Sequence, residues 1–531
     1  MSALPRWADP DVPDSTLDRQ GLSRRGILQR AGLFGAAFAV AGADAAPAAA
    51  GPADDDPEFV YLVGDHHVHT QYSHDAKYTL GQAARRGAQF GLDWMVGTEH
   101  SNFGHDNFGA ALEHTDILAA RAENPRMLIF QGLEWYIPGA EHATVFTPPG
   151  EHEVDVLRDF ERAYDGKLLG SSDESLAVAA IRWLAARDVD ALVLANHPSR
   201  LGIDSPHELR AWRDAAPGVV IGMEGAPGAQ GAALPGLRGP SSIRGEYENK
   251  PSAQSHPGYP LEAYVTYGGF DWMTATVGGM WDALLAEGKL FSITTNSDNH
   301  RTVHDTLRNG DYPPGATFDS LGKVPDPVET GVAQPGSDFW PGQFSRTHVG
   351  VTGYGYREVL AGLRAGRVWV DHGQLVDALD VRLRSSGGGS ATLGGRLRVR
   401  RGERLTLTVT VHSATRPNFH GVLPRLAHLD VIRGAVTGRP ADPDSWRAPD
   451  TRVVKSRDVS ARRGAYTVSF ELGAATAPAY VRVRGSDGNR HGPGLLGAHL
   501  DPHGPIPHPP GDGDPWLDTW LYTNPIFIDP V

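Results

Sequence analysis

Histidine, aspartate and glutamate recur at the ends of short apolar segments, where their side chains could bind metal ions. His67 and His69 follow one such segment. Because residues two apart in an extended chain point the same way, both imidazoles can bind one ion. Asp298 and His300 repeat this spacing after another segment. Three more segments lead, in chain order, into Glu99-His100, Glu134 and His197. Five apolar segments that each lead into potential metal ligands predict a metal centre.

The composition restricts the chemistry of this centre. The 531 residues include 23 histidines and no cysteine. Disulfides, thiolate zinc sites, iron–sulfur clusters and a cysteine nucleophile are therefore excluded. Several neutral imidazoles with shared carboxylates suit Zn, Mn or Fe. Paired ions about 3.5–4 Å apart lower the pKa of a bridging water and bind both the attacking and the leaving oxygen. A centre that held two such ions would hydrolyse its substrate through a metal-bridging hydroxide.

The elements that must position these residues indicate an α/β domain over about 57–375. The predicted strands are 59–64, 94–98, 127–130, 191–195, 219–223 and 290–295. Helical spacing recurs between them, as over 176–184 behind the capping residues Ser171 and Ser172. Apolar strands that alternate with helices predict a parallel sheet covered by helices, and the carboxyl ends of parallel strands share one edge.

The pattern changes at about 376. Apolar residues alternate with polar ones over 405–411 and 466–472. Period-two alternation between turns predicts half-buried antiparallel strands and a small C-terminal β-sandwich over 376–531. The histidine- and proline-rich stretch 503–510 is interpreted as a loop rather than a metal site.

The first fifty residues have the pattern of an export signal. Arg24 and Arg25 precede the apolar run 33–40, which is shorter than the roughly 20 residues that span a membrane. Ala43-Asp44-Ala45 offers a cleavage site. We expect a twin-arginine signal peptide over 1–50, secretion or a cell-envelope location, and no stable membrane insertion.

Five motifs together resemble the successive motifs of the polymerase and histidinol phosphatase (PHP) superfamily. They are Gly-Asp-His-His-Val-His-Thr (64–70), Thr-Glu-His (98–100), Gly-Leu-Glu (132–134), Asn-His-Pro (196–198) and Ser-Asp-Asn-His (297–300). The resemblance covers about 60–350. The C-terminal part, which ends in Thr-Asn-Pro-Ile-Phe-Ile (523–528), resembles secreted members of the branch that includes carbaryl hydrolase. Together they imply a distorted seven-stranded β/α barrel before the sandwich, and two or three divalent metal ions.

The resemblance also implies a ligand set. The implied ligands are His67, His69 and Asp298 for one ion, Asp75 and His100 for the second, and His142 and His197 for the third, with Glu134 bridging two ions and His300 completing the ring. His74 and Asp75 both stand where the family has one acid or histidine, and Asp75 is preferred.

Three residues besides Glu134 are predicted to act in catalysis. His197 or His300 would protonate the leaving oxygen. Arg200 could bind a phosphate oxygen with its planar guanidinium, although a surface salt bridge fits its position equally well.

Other residues near the motifs are expected to support the site or to pack. Glu99 stands where an aspartate is commoner in the family. His66 is interpreted as a supporting or surface residue, and Glu224 as a supporting residue, with packing or a helix cap as the alternative. Trp135 and Tyr136 would line the pocket or belong to the core.

The leading hypothesis is a secreted metal-dependent phosphoesterase that acts on a small phosphate mono- or diester. A metallohydrolase of carboxylic esters, carbamates or amides, and a non-catalytic binding protein, are the alternatives. The formal charge of −14 argues against a nucleic-acid partner, which would be repelled.

Overall fold

A computed structural model describes residues 59–101, 104–187, 189–234, 244–245, 250–334, 336, 338–508 and 513–531. The predicted twin-arginine signal lies outside these ranges. Within them, no helix combines the length and the apolar character that crossing a bilayer requires.

The strands of the N-terminal part include every strand predicted from the sequence. They are β1 Val60–Val68, β2 Trp94–His100, β3 Leu128–Tyr136, β4 His142–Phe146, β5 Leu192–Ala195, β6 Val220–Ala226, β7 Ser292–Thr295, β8 Leu307–Arg308, β9 Val328–Glu329, β10 Ser345–Val351 and β11 Val368–His372. β1, β2, β3 and β6 extend beyond the predicted ends into the polar residues that were expected to follow the strands.

In the residues of the C-terminal part that the structure describes, the regular elements are strands and one short 3₁₀ turn, Pro515–Leu517. Its strands are β12 Val376–Ser385, β13 Ser390–Thr392, β14 Arg396–Val399, β15 Arg404–Ser413, β16 His428–Ala435, β17 Arg452–Asp458, β18 Ala465–Ala474, β19 Ala479–Ser486, β20 His491–Gly492, β21 Gly504–Pro505, β22 Trp520–Thr523 and β23 Ile526–Pro530.

The helices lie in the N-terminal part of the chain, and several of them pack against its strands. They are α1 Leu80–Gln89, α2 Ala110–Glu123, α3 Glu153–Tyr164, α4 Gly166–Leu169, α5 Glu174–Ala186, α6 Pro206–Ala215, α7 Trp272–Ala275, α8 Met280–Leu285, α9 Phe318–Leu321 and α10 Tyr356–Arg364. The predicted cap of α5 was wrong. Asp173, whose side chain accepts from the backbone N–H of Ser175, precedes this helix instead of Ser171 or Ser172. A carboxylate in this position also interacts favourably with the helix dipole.

The fold is mixed α/β, with one large sheet rich in parallel pairs. Its N-terminal strands lie in the order β10-β1-β2-β3-β4-β5-β6-β7. β1, β2 and β3 are parallel, as are β5, β6 and β7. β4 is antiparallel to both neighbours, because the tight turn at 137–141 folds it back on β3. This reversal, which periodicity did not reveal, places His142 opposite Tyr136.

The two ends of this strand series meet. Val68 and Asn299 form a parallel bridge, and the N–H of His69 donates to the carbonyl of Asn299 at 3.1 Å. The segment after β7 therefore lies beside the end of β1. The seven-stranded barrel as such stays a prediction.

Two layers, antiparallel except for one strand pair, enclose a second core in the C-terminal part. One layer is the four-stranded sheet β13-β12-β15-β18, and the other contains β14, β16, β17, β19, β22 and β23. The expected antiparallel pairing fails at β14, which is parallel to β23. Alternate residues such as Leu407, Val409 and Phe470 are buried between the layers, as the period-two pattern predicts. The second layer continues into the large sheet through the β11–β22 pair, in which Trp369 lies opposite Thr523. The division at residue 376 stays a prediction.

Candidate metal centre

The ends of β1, β2, β3, β5 and β7, with the start of β4, bring all the predicted ligands into one cluster. These residues are His67, His69, Asp75, His100, Glu134, His142, His197, Asp298 and His300. Four overlapping groups have ligand atoms close enough to share an ion: His67, His69 and Glu134; His69, His100 and His300; His74, Asp75 and His100; and Glu134, His142 and His197. Metal ligation by these residues stays a prediction.

His67 and His69 form the most buried pair of the cluster. Their Nε2 atoms are 2.9 Å apart. Oδ1 of Asp298 lies 3.1 Å from Nε2 of His67 and 3.2 Å from Nε2 of His69. Glu134 completes the group, with Oε1 3.2 Å from Nε2 of His67. Two imidazoles and two carboxylates thus converge on one small volume.

Supporting side chains fix the ring tautomers of this pair. Nδ1 of His67 donates to Oε1 of Glu224 at 2.7 Å, because an ionised carboxylate only accepts. Ser73 donates its single hydroxyl proton to Glu99 at 2.6 Å. It therefore accepts from Nδ1 of His69 at 2.9 Å. In the neutral rings, both Nε2 atoms then carry lone pairs.

This arrangement fits a metal ion. Two lone pairs 2.9 Å apart repel each other, and neither ring of His67 and His69 can donate to the other unless it takes up a second proton. A cation that accepts both lone pairs removes the repulsion and offsets the nearby carboxylates. Imidazole nitrogens with their other N–H held by a carboxylate or hydroxyl are typical of metal sites.

Glu134 lies at the centre of the cluster, as expected of a bridging ligand. Its Oε2 is 2.8 Å from Nδ1 of His100, and its Oε1 is 3.1 Å from Nδ1 of His142 and 3.2 Å from Nε2 of His197. The amide of Asn196 also donates to Oε1 at 3.1 Å. Burial opposes ionisation, but the surrounding histidines hold the pKa of Glu134 well below its usual range.

The third side of the cluster is formed by Asp75, His100 and His300. Oδ1 of Asp75 lies 3.3 Å from Nε2 of His100 and 3.4 Å from Nε2 of His300. His74 shares a candidate group with Asp75 and His100, so the choice between His74 and Asp75 stays open. Both are partly exposed, which places this side of the cluster nearest to solvent.

Burial and neighbouring charges shift the pKa values of the imidazoles in opposite directions. Burial lowers the pKa of His100, but Asp75 and Glu134 outweigh it and raise the pKa to about 10. Burial and the neighbouring His69 lower the pKa of His300 to about 4. The cluster as a whole therefore attracts positive charge, while individual rings remain neutral and able to coordinate.

The backbone is strained where the motifs turn toward the cluster. His197 has φ +28° and Asp298 has φ +48°, a region that residues with a side chain rarely adopt. Such conformations cluster at functional sites because the surrounding structure must enforce them. Asp65 supplies part of this enforcement, since its carboxylate accepts from the N–H of His67 at 3.1 Å and of Ser297 at 3.0 Å.

The structure decides between the alternatives that the sequence left open for three neighbouring residues. His66 is buried and lies away from the cluster, with Nε2 2.8 Å from the Thr294 hydroxyl. Trp135 packs in the core against Phe160, whereas Tyr136, on the opposite face of β3, has its ring 4.1 Å from that of His142. Alternation along a strand explains why only one of the two aromatics reaches the site.

Arg200 lies beside the cluster but is engaged by a carboxylate. Its Nη1 donates to Oε2 of Glu141 at 2.8 Å, and the same oxygen lies 3.6 Å from Nδ1 of His197. The side chain remains 27 % exposed. Lys167 places its Nζ 4.8 Å from the centre of the Tyr136 ring. Two cations therefore lie at the edge of the site.

Sequence reasoning did not predict the roles of Ser73, Asn196, Glu141 or Lys167. Ser73 and Asn196 stand close to motif histidines in the chain, which was the available signal. Glu141 directly precedes His142 and had the same signal. Lys167 had none, because only the α3–α4 corner brings it to the site.

Comparisons with known proteins were made at three levels. A scan of protein families and a search of curated proteins find no match to this chain. Among solved structures, the chain is similar to a two-domain protein from Bacteroides vulgatus that contains a predicted PHP-like metal-dependent phosphoesterase. The two are 12% identical, with a TM-score of 0.32, over 88% of this chain and 100% of that one.

A second similar structure is the lesion-specific endonuclease PfuEndoQ from Pyrococcus furiosus. It is 12% identical, with a TM-score of 0.28, over 57% of this chain and 56% of the endonuclease. At such low TM-scores the likeness carries no argument about chemistry. The solved structures similar to this chain thus include one described as PHP-like. The motifs of this chain resemble those of the same superfamily.

Proposed function

We propose that this protein is a metal-dependent phosphoesterase that hydrolyses a small phosphate mono- or diester. The observation that carries the proposal is the cluster itself, in which six imidazoles and three carboxylates converge around Glu134. Divalent ions bound there would supply an activated water and would polarise a phosphoryl oxygen.

The chain's own residues would bind and orient the substrate. Arg200 and Lys167 lie at the edge of the site, where a guanidinium and an ammonium attract an anion. These cations favour a phosphate over a neutral carboxylic ester. Asp75 and the partly exposed His300 mark the side from which substrate would enter.

Two histidines are the proposed proton donors to the leaving oxygen. His300 is 19 % exposed, whereas His197 is nearly buried and lies beside Glu141. A donor must reach the leaving group, and the more accessible His300 meets this condition better. A donor must also carry a proton, and here the raised pKa of His197 favours His197, because the pKa of His300 is lowered to about 4. Glu141 would hold His197 and Arg200 in place relative to each other.

Hydrolysis assays on matched substrates test the proposal. The purified chain, loaded in turn with Zn²⁺, Mn²⁺ or Fe²⁺, is assayed on p-nitrophenyl phosphate, bis(p-nitrophenyl) phosphate and p-nitrophenyl acetate. We expect turnover of a phosphate ester that chelation abolishes. Turnover of the acetate alone would instead support the carboxylic-ester hydrolase, and no turnover with any metal would contradict both.

A short oligonucleotide with and without a damaged base belongs in the same assay. One similar structure is a lesion-specific endonuclease, whereas the charge of −14 disfavours a polyanion. We expect no cleavage. Cleavage that increases at low salt would extend the substrate class to nucleic acid.

Export by the twin-arginine route is part of the proposal. Residues 1–60 fused to a reporter that is active only outside the cytoplasm test it, with Arg24→Lys and Arg25→Lys together as the control. We expect export of the first fusion and not of the second.

A further inference from the structure

Three histidines gather on the surface of the C-terminal part, on chain segments that are distant in sequence. His428 begins β16, His491 begins β20, and His503 immediately precedes β21. The β20–β21 ladder pairs His491 with Pro505, which brings the last two histidines together. None of the three belongs to the metal centre described above.

Two of the three spacings between these rings match those of a metal site. The ring centres of His428 and His503 are 4.9 Å apart, and those of His491 and His503 are 5.5 Å apart. With Zn–N bonds of about 2.0–2.1 Å and tetrahedral angles, bound imidazole centres lie roughly 5 Å apart. Within the metal centre, the rings of His67 and His69 are 4.9 Å apart, and those of His142 and His197 are 5.2 Å apart.

A carboxylate orients the first of these rings. Nε2 of His428 donates to Oδ1 of Asp430 at 2.7 Å, so its Nδ1 keeps the lone pair. Asp430 is itself fixed by Ser456 at 2.6 Å and by Arg484 at 2.7 Å. A histidine whose second nitrogen donates to a held carboxylate is the usual arrangement behind a metal ligand.

Arg484 also holds the backbone of His503. Nη2 of Arg484 donates to the carbonyl of His503 at 3.3 Å, and Arg484 also binds both carboxylate oxygens of Asp501. The backbone N–H of His503 donates to Oδ1 of Asp501. Two of the three histidines are thus anchored to one buried guanidinium.

We propose that His428, His491 and His503 bind a late first-row divalent ion such as Zn²⁺ at a site separate from the metal centre. Three neutral imidazoles suit such ions better than Mg²⁺ or Ca²⁺, which prefer oxygen ligands. His491 is the exposed member, and its ring centre lies 6.5 Å from that of His428. It therefore rotates toward the other two when the ion binds, which ties the segment after β19 to β16.

Metal counting on the full chain tests this site. Chelator-stripped wild type, His491→Ala and His503→Ala are dialysed against Zn²⁺, and bound zinc is measured by mass spectrometry. We expect each variant to bind one ion fewer per chain than the wild type. His499→Ala is the matched control, because His499 is an exposed histidine of the same segment. It should bind as many ions as the wild type.

Crystals soaked with Zn²⁺ provide a readout that is independent of enzyme activity. An anomalous peak among the three rings, absent in His491→Ala, supports the proposal. Equal zinc counts in wild type and His491→Ala, or an equal loss in His499→Ala, would overturn it. Neither result depends on whether the metal centre hydrolyses phosphate esters.

Discussion

Nδ1 of His67 lies 2.7 Å from Oε1 of Glu224, although 157 residues separate them in the chain. The other oxygen of Glu224 accepts from the backbone N–H of His197 at 2.6 Å. The buried carboxylate of Glu224 therefore orients the ring of His67 and the backbone of His197, which are predicted to bind two different ions.

Replacing Glu224 should weaken metal binding without removing a ligand. Glu224→Gln can accept only one of the two hydrogen bonds and no longer carries a charge. We expect zinc affinity, measured by competition with a chromophoric chelator, to fall by about 10–100-fold. Glu329→Gln, at an exposed glutamate, is the control and should bind as the wild type does. Unchanged affinity in Glu224→Gln would show that the His67 tautomer does not depend on this contact.

Glu134→Gln should keep the fold and lose turnover. The amide has nearly the same shape but lacks the charge that a bridge between two cations needs. We expect kcat to fall by about 10²–10³-fold or more, with a circular dichroism spectrum like that of the wild type. Activity within a few-fold of wild type would mean that Glu134 is not the bridge.

Chelation should lower the melting temperature of the protein. Without cations, the buried carboxylates of Glu134 and Asp298 are offset mainly by protonated histidines. An ion present at about 100 times its Kd stabilises the folded state by about 2.7 kcal/mol per site. Calorimetry should show a lower Tm after chelation and recovery with Zn²⁺ but not with Mg²⁺. Recovery with both ions equally would argue against an imidazole-rich site.

The metal-free protein should lose stability as pH rises. Asp75 and Glu134 raise the pKa of His100 to about 10, above its ordinary value of 6.5. Stability from this protonated ring is complete below about pH 6.5 and is lost as pH rises toward about 10. Urea unfolding of the chelated protein at pH 6, 8 and 10 measures how the free energy of unfolding decreases with pH. The decrease should be smaller in His100→Ala. A free energy of unfolding that increases with pH in the wild type would contradict the assignment.

Arg484→Met should destabilise the C-terminal part. The buried Arg484 guanidinium lies between Asp430 and Asp501, so its loss leaves two buried carboxylates uncompensated. Breaking such a buried pair costs about 3–5 kcal/mol. Although burial raises the pKa of Asp430, Arg484 holds it well below its usual range, so this stabilisation is present at neutral pH and disappears as pH falls through that lowered pKa.

Denaturant unfolding at pH 7 and pH 3 checks this prediction. We expect a large loss in the free energy of unfolding for Arg484→Met at pH 7 and a smaller loss at pH 3, where Asp430, no longer held ionised by Arg484, takes up a proton more readily than in the wild type. Arg452→Met, at an exposed arginine of β17, is the control and should change stability little. An equal loss at both pH values would indicate lost packing rather than lost charge.

The sequence by itself predicted which imidazoles and carboxylates gather in the candidate metal centre and most of the strands that carry them. Buried strands contain continuous apolar runs, and the polar residues near their ends stand out against them, as Glu134 does after the run 127–130. Spacing within one strand was equally informative, since alternation brings His67 and His69 to the same side.

Tertiary structure decided what depends on contacts between distant segments. The reversal of β4, which sets His142 opposite Tyr136, follows from a tight turn and not from any periodicity. Glu224 lies beside His67 because β6 and β1 end at one edge of the sheet. Arg484 on β19 contacts Asp430 and His503, which lie on two other segments. Local patterns report which face of an element is buried, but not which side chain of another element meets it there, because that depends on the packing of the whole chain.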